Sequence, residues 1–88
     1  MDIQQVSKYG MSIKFAVHGG QVIIFHPVTG EQVMVLPLDR LPDQVGGDFA
    51  VQSKESFLGC MRGCYDLRKG SPLEYAGCIA LCSTILFA

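Results

Sequence analysis

The sequence predicts an α+β fold, in which a three-stranded antiparallel β-meander at about residues 11–38 is followed by an antiparallel helical hairpin. Apolar and polar residues alternate in the first half of the chain, which is typical of strands. In the last third, apolar residues recur at helical spacing, and four cysteines form two C-x-x-x-C pairs. We expect the hairpin, with helices at about 54–69 and 72–87, to pack on one face of the sheet.

The size and composition indicate one small domain at 1–88, with a β half at 1–52 and a cysteine-bearing helical hairpin at 53–88. The chain is 49% hydrophobic and only 17% charged, which is the composition of an ordered protein. Its formal net charge of −1 provides no electrostatic attraction to nucleic acid or to an anionic membrane. We therefore expect neither as the main partner.

Each predicted strand is bounded by turn-forming residues. The first strand, at 11–18, ends at Gly19-Gly20, which can adopt the positive φ angles of a tight hairpin. The second, at 21–26, has apolar residues on both faces, which predicts a central strand. The third, at 32–38, contains Pro37, which has no amide proton. This strand therefore ends at the proline or lies at an edge of the sheet.

The two helices are predicted from the residues at their ends. Ser53 is expected to cap the first helix and Gly70 to terminate it. The sequence Ser71-Pro72-Leu73-Glu74 is a capping box with proline at the first helical position, and it begins the second helix. That helix is apolar nearly all round, so we expect it to lie between the sheet and the first helix. Its apolar surface also offers a contact for a homo-oligomer.

The cysteines are the most chemically specific feature of the chain. In an antiparallel hairpin the residues nearest the turn meet, so Cys64 faces Cys78 and Cys60 faces Cys82. Three interpretations remain open: two nested structural disulfides, four reduced cysteines buried as small apolar side chains, or thiolates that hold zinc or an iron–sulfur cluster. We expect the disulfides, and we assign no metal ligand, cofactor-binding residue or catalytic residue.

The spacing from Cys60 to Cys82 resembles that of the twin C-x3-C helical hairpins. These include the small chaperones of the mitochondrial intermembrane space and the plant hairpin defence peptides. The resemblance implies two disulfides that join antiparallel helices. It covers residues 60–82 only, and the β-like first half differs from the mitochondrial proteins. We therefore carry over the bridging pattern and not the chaperone function.

No catalytic set is recognisable, so we expect a non-enzymatic protein that binds or regulates an unidentified protein partner and has no small-molecule substrate. His18 and His26 lie next to turns, without a carboxylate close in sequence, so an exposed position is favoured over a metal-binding or base role. One alternative is a thiol-redox or metal-binding protein. Another is the precursor of an exported bacteriocin-like peptide cleaved after Gly47, because the residues before Gly46-Gly47 resemble a double-glycine leader.

The cellular compartment is left open by the sequence. The first ten residues contain no apolar region and carry Asp2, so we expect no signal peptide. The apolar run at 75–88 is shorter than the roughly 20 residues that cross a bilayer. The cysteine pattern nevertheless favours an oxidising compartment.

Overall fold

The computed structural model describes residues 2–87, in which a four-stranded antiparallel sheet precedes the helices. The strands are Ile3–Lys8 (β1), Met11–His18 (β2), Gln21–Phe25 (β3) and Gln32–Pro37 (β4). The helices are Val51–Cys64 (α1), Pro72–Cys82 (α2) and Thr84–Phe87 (α3), and a 3-10 helix at Tyr65–Lys69 follows α1. The predicted α+β class is confirmed.

The sheet is a meander, because the strands are hydrogen-bonded in the order β1-β2-β3-β4. The first two connections are two-residue turns, at Tyr9-Gly10 and Gly19-Gly20, and all four residues have positive φ angles. Such turns match the right-handed twist of the strands that they join. A β-bulge between Ile24 and Phe25 interrupts the pairing of β3 with β4.

The prediction of three strands was wrong, because β1 adds a fourth strand before them. It pairs with β2 without interruption, from Ile3 opposite Ala16 to Lys8 opposite Met11. Its side chains are exposed apart from the half-buried Val6, so the apolar alternation that reveals a strand is missing. Hydrogen bonding to β2 makes this segment a strand, although its own sequence gives little indication of one.

One face of the sheet forms the core together with the helices. Alternation along the strands places on this face a set of large apolar residues, all of them buried: Ile13, Phe15, Val22, Ile24, Met34 and Leu36. From the helices, Phe57, Met61, Tyr75 and Ile79 complete the same cluster. The expectation that the helices pack on one side of the sheet is met by this arrangement.

Helix α2 lies between the sheet and α1, as the apolar character of its sequence predicts. It approaches β1 and β2 through Gly77, where an added Cβ would lie 3.6 Å from Phe15 Cζ and 3.8 Å from Val6 Cγ1. It faces α1 through Cys78 and Cys82. Its apolar residues are therefore mostly buried inside the domain, and Leu73 is the exposed exception among its large apolar side chains.

The helix ends differ in part from the predicted ones. Helix α1 begins at Val51, and the preceding Ala50 makes no side-chain capping bond, so the prediction of Ser53 as the cap was wrong. The start of α2 is confirmed, since the Ser71 Oγ accepts a hydrogen bond from the backbone N–H of Glu74 at 3.5 Å. The first helix changes to 3-10 geometry at Tyr65, before the predicted end.

The predicted second helix is divided into α2 and α3. The hydroxyls of Ser83 and Thr84 donate to the backbone carbonyls of Ala80 and Leu81, and such hydroxyl bonds to the preceding turn bend a helix. The short α3 then brings the Phe87 ring close to two others: its centroid is 5.1 Å from that of His26 and 5.9 Å from that of Phe49. The C-terminal turn is therefore anchored against the loops at one end of the sheet.

We predict that Gly77→Ala stabilises the protein by about 0.5–1 kcal/mol, because alanine is the better helix former and its methyl group fits at ordinary contact distance. Gly77→Leu should destabilise it, since the larger side chain must displace Phe15 and Val6. Urea unfolding with the disulfides intact measures both effects. Equal free energies of unfolding for the two variants would contradict the close packing of α2 on the sheet.

Candidate functional site

Two disulfides join α1 to α2 and form the best-defined chemical site of the structure. Cys60 is bonded to Cys82 and Cys64 to Cys78, with Cα–Cα distances of 5.7 and 5.9 Å. Both distances lie in the usual range for a disulfide. The cysteines of each helix are one turn apart, so the two bridges are stacked along the seam between the helices. All four cysteines are paired, in the nested arrangement that the hairpin geometry predicts.

The four sulfur atoms form a compact group. The Sγ atoms of Cys64 and Cys82, which belong to different bridges, are 3.6 Å apart, and that of Cys60 lies within 4.8 Å of both. Cys64 and Cys82 are buried, whereas Cys60 and Cys78 are half-buried. A sulfur atom in a disulfide is not the thiolate that attacks an electrophile or binds a metal. In the oxidised form shown here, the group therefore acts as a structural crosslink.

A cation and two aromatic rings pack together beside the bridges. The Arg68 guanidinium lies 4.2 Å from the centroid of the Tyr65 ring, and Tyr65 makes an edge-to-face contact with Tyr75, with a centroid distance of 6.0 Å. The Tyr75 side chain is buried, and its hydroxyl has no hydrogen-bond partner within residues 2–87. Burial raises the pKa of Tyr75 above its usual value of 10.0; Tyr65 adds to this effect and Arg68 opposes it.

The structure does not bring the two histidines together. His18 pairs with Gln21 at one end of β3, and His26 follows the other end. The His26 Nδ1 accepts the backbone N–H groups of Val28 at 3.0 Å and Thr29 at 3.3 Å, so this imidazole stabilises the turn after β3. Because the two rings lie at opposite ends of a strand, they are not placed to bind one metal ion together.

The second candidate site is the face of the sheet opposite the helices, which we call the open face. Ile3, Ala16, Ile23 and Val35 lie there side by side on the four strands, since each is paired in register with the next. We call these four residues the apolar row. In an antiparallel sheet with one solvated face, that face is usually polar. The apolar row therefore departs from the expected pattern.

The two ends of the apolar row are open to solvent. The side chains of Ile3 and Val35 are 55% and 39% exposed, while Ala16 and Ile23 between them are buried. The next positions on the same face are polar on β1 and β2, where Lys14 is exposed opposite Gln5, and they include the half-buried Phe25 on β3 and Pro37 on β4. An apolar strip with a partly polar border is a common form of protein contact surface.

The connection between β4 and α1 contains the predicted cleavage position. Gly46, Gly47 and Asp48 are exposed, and Gly47 has a φ angle of +100°. Val45 beside them is buried in the core and anchors the loop. The backbone around Gly47 is therefore accessible from the outside, although the loop is fixed on its N-terminal side.

Comparison of the chain with protein-family models, with curated proteins and with solved structures finds no match. Among residues 2–87, no helix combines the length and the apolar character that a bilayer crossing requires. The same part of the chain contains no surface pocket.

Sequence reasoning identified the cysteines but missed the apolar row. Its members are far apart in the chain, and only the strand register places them in line. One signal was present, because the residues of the second predicted strand are apolar on both faces. That signal predicted a central strand, and β3 does lie between β2 and β4. It did not show that Ile23 lies on the open face while its neighbours Val22 and Ile24 enter the core.

We predict that loss of either bridge lowers the free energy of unfolding by about 3 kcal/mol, because each bridge restricts the unfolded chain. The two double variants are Cys60→Ala with Cys82→Ala, and Cys64→Ala with Cys78→Ala. Each removes one buried and one half-buried cysteine, so the losses of packing are matched. The bridges span 22 and 14 residues, so removal of the outer one should cost roughly 0.4 kcal/mol more. Denaturant unfolding, monitored by circular dichroism, measures which double variant loses more stability.

The pairing itself is checked by mass spectrometry. The intact protein should gain four hydrogen atoms on full reduction, two for each bridge. Peptide mapping without reduction should recover Cys60 linked to Cys82 and Cys64 linked to Cys78. Alkylation of all four thiols before any reduction would contradict the structural role of the bridges.

We predict that Tyr75→Phe raises stability at neutral pH by about 1 kcal/mol or more, because it removes a buried hydroxyl that has no hydrogen-bond partner among residues 2–87. The raised pKa of Tyr75 means that the folded protein holds this proton more tightly than the unfolded chain does. Stability should therefore fall as pH rises above about 10, and less so in Tyr75→Phe. Urea unfolding midpoints measured from neutral pH to above about 10 test this pH dependence. Tyr65→Phe is the control, because it retains the buried Tyr75 hydroxyl.

Proposed function

We propose that this protein is a non-enzymatic binding protein whose open face contacts a partner protein. The apolar row is the observation on which the proposal rests. Ile3 and Val35 leave large aliphatic side chains exposed in line with two buried apolar residues. Burial of such surface stabilises a protein complex by about 25 cal/mol for each Å² of apolar area removed from water.

The helical layer supports this role without taking part in the contact. The helices cover the opposite face of the sheet and fill the core, so they do not cover the open face. The two disulfides hold α1 and α2 together and so stabilise the helical layer on which the sheet packs. A preformed surface loses less conformational entropy on binding than a flexible one does. The bridges also favour an oxidising compartment as the place where the protein acts.

A second candidate function is that of a precursor cleaved after Gly47. The exposure of Gly46, Gly47 and Asp48 favours it, because a protease needs an accessible backbone. The released part would contain both disulfides and all the helices. It would lose the sheet that covers Phe57 and Ile79, and those apolar side chains would then need a new partner such as a lipid surface. Release by the producing cells of a fragment that begins at Asp48 would support this function.

We predict that Val35→Glu abolishes capture of a partner protein from native lysate by the tagged full-length chain. The introduced charge would have to be buried without a counter-charge in the contact, which costs several kcal/mol. Ile3→Glu should act in the same direction. Quantitative mass spectrometry of the captured proteins gives the measurement, and capture by these variants should fall at least about tenfold, equivalent to 1.4 kcal/mol.

A matched control is available at Val51, a valine that is 69% exposed at the start of α1 and lies outside the sheet. Val51→Glu makes the same change of side chain away from the open face and should leave capture unchanged. The proposal fails if Val35→Glu and the unmodified protein retain the same proteins in the same amounts.

A further inference from the structure

The two edges of the sheet differ in how well they are protected from further pairing. The β4 edge carries Pro37, which has no N–H group, and its pairing with β3 contains a bulge. Both features discourage the addition of another strand. The β1 edge has neither, since its six residues run in unbroken register with β2. Within residues 2–87, β1 is thus the less protected edge.

The hydrogen-bonding groups that β1 leaves free follow from its hairpin. Lys8 and Met11 flank the two-residue turn, which makes them a hydrogen-bonded pair, and Val6 opposite Ile13 is the next such pair. The backbone groups of Ile3, Gln5 and Ser7 therefore point away from β2. They form a row of donors and acceptors at the free edge of the sheet.

We propose that a second copy of this chain pairs with β1 in antiparallel orientation, across a two-fold axis at Gln5. In the register that includes every residue from Asp2 to Lys8, Gln5 lies opposite the partner's Gln5, and Ile3 lies opposite the partner's Ser7. These are the residues with outward backbone groups, so the register satisfies them pairwise. A strand paired with its own copy forms the self-complementary interface that two-fold symmetry requires.

The charges at the two ends of β1 favour a second copy of the chain as the partner of this edge. The same register places Lys8 opposite the partner's Asp2, and symmetry repeats this pair at the other end. These are non-hydrogen-bonded positions, where opposite side chains come closest. Within one copy, the two residues are six positions apart along the extended chain, or about 20 Å, and cannot pair with each other. The Lys8 Nζ lies 5.2 Å from the centroid of its own Tyr9 ring, which still leaves ammonium hydrogens for a carboxylate.

The dimer would have one continuous sheet of eight strands, four from each copy. A two-fold axis perpendicular to the sheet keeps both helical layers on one face and both apolar rows on the other. This inference goes beyond the proposed function, because it depends on the backbone edge of β1 rather than on binding of another protein by the apolar row. It would also make that binding bivalent.

Sedimentation equilibrium of the full-length protein at low salt, from about 10 µM to about 1 mM, tests the dimer in a range that detects weak association. The weight-average mass should rise from the 9.6 kDa of one chain towards twice that value. A mass that stays at one chain throughout would overturn the proposal.

Charge reversal tests the register. Asp2→Lys and Lys8→Glu should each raise the dissociation constant about tenfold or more, because each replaces two attractive pairs with two repulsive ones. The double variant, Asp2→Lys with Lys8→Glu, should restore the original dissociation constant. Lys14→Glu, which changes an exposed lysine on β2, should leave it unchanged. Failure of the double variant to restore association would overturn the register.

A backbone substitution keeps the test independent of charge. Gln5→Pro removes an outward N–H group at the two-fold axis and none from the β1–β2 pairing, so it should abolish the dimer while the far-UV circular dichroism is retained. Val35→Glu should not alter the dissociation constant. Loss of partner capture with an intact dimer would therefore concern the open face alone. A folded Gln5→Pro variant that still dimerises would overturn the assignment to β1.

Discussion

The structure depends on the antiparallel register of α1 and α2, which two disulfides fix together. One bridge between two helices sets a single distance and leaves rotation about that link. A second bridge, one helical turn away, removes this freedom because Cys60 and Cys64 lie on one helix face and Cys78 and Cys82 on the other. In a chain of this size, which buries only about 60–65% of its unfolded surface, such a constraint carries a large share of a marginal stability.

The fixed register explains how α2 can be apolar on nearly all sides. It meets the sheet through Gly77 and α1 through its cysteines, so that two layers cover it. The same enclosure buries the Tyr75 hydroxyl, which finds no hydrogen-bond partner in the described part of the chain, at a cost of about 1–3 kcal/mol. Each bridge contributes a stabilisation of about the same size. The crosslinks therefore allow a packing arrangement that would be costly for an unbridged domain of 88 residues.

The sequence predicted features that local chemistry determines and missed those that depend on pairing. Cysteine spacing and the Ser71 cap are local, and the structure has both as expected. Strand β1 was missed because its residues are polar and exposed and only β2 makes them a strand. The start of α1 at Val51 was missed because Ala50 offers no side-chain cap. The apolar row exists only through register, so no single segment of the sequence could reveal it.

The core lies on one side of the sheet, yet the open face on the other side is not uniformly polar. Ile3 and Val35 contact solvent over a large fraction of their surface, so polar residues there would cost the fold little. Ala16 and Ile23, which lie between them, are already buried. The proposed contact with a partner protein would make use of the aliphatic residues at both ends of the row, because that contact would remove the two exposed side chains from water.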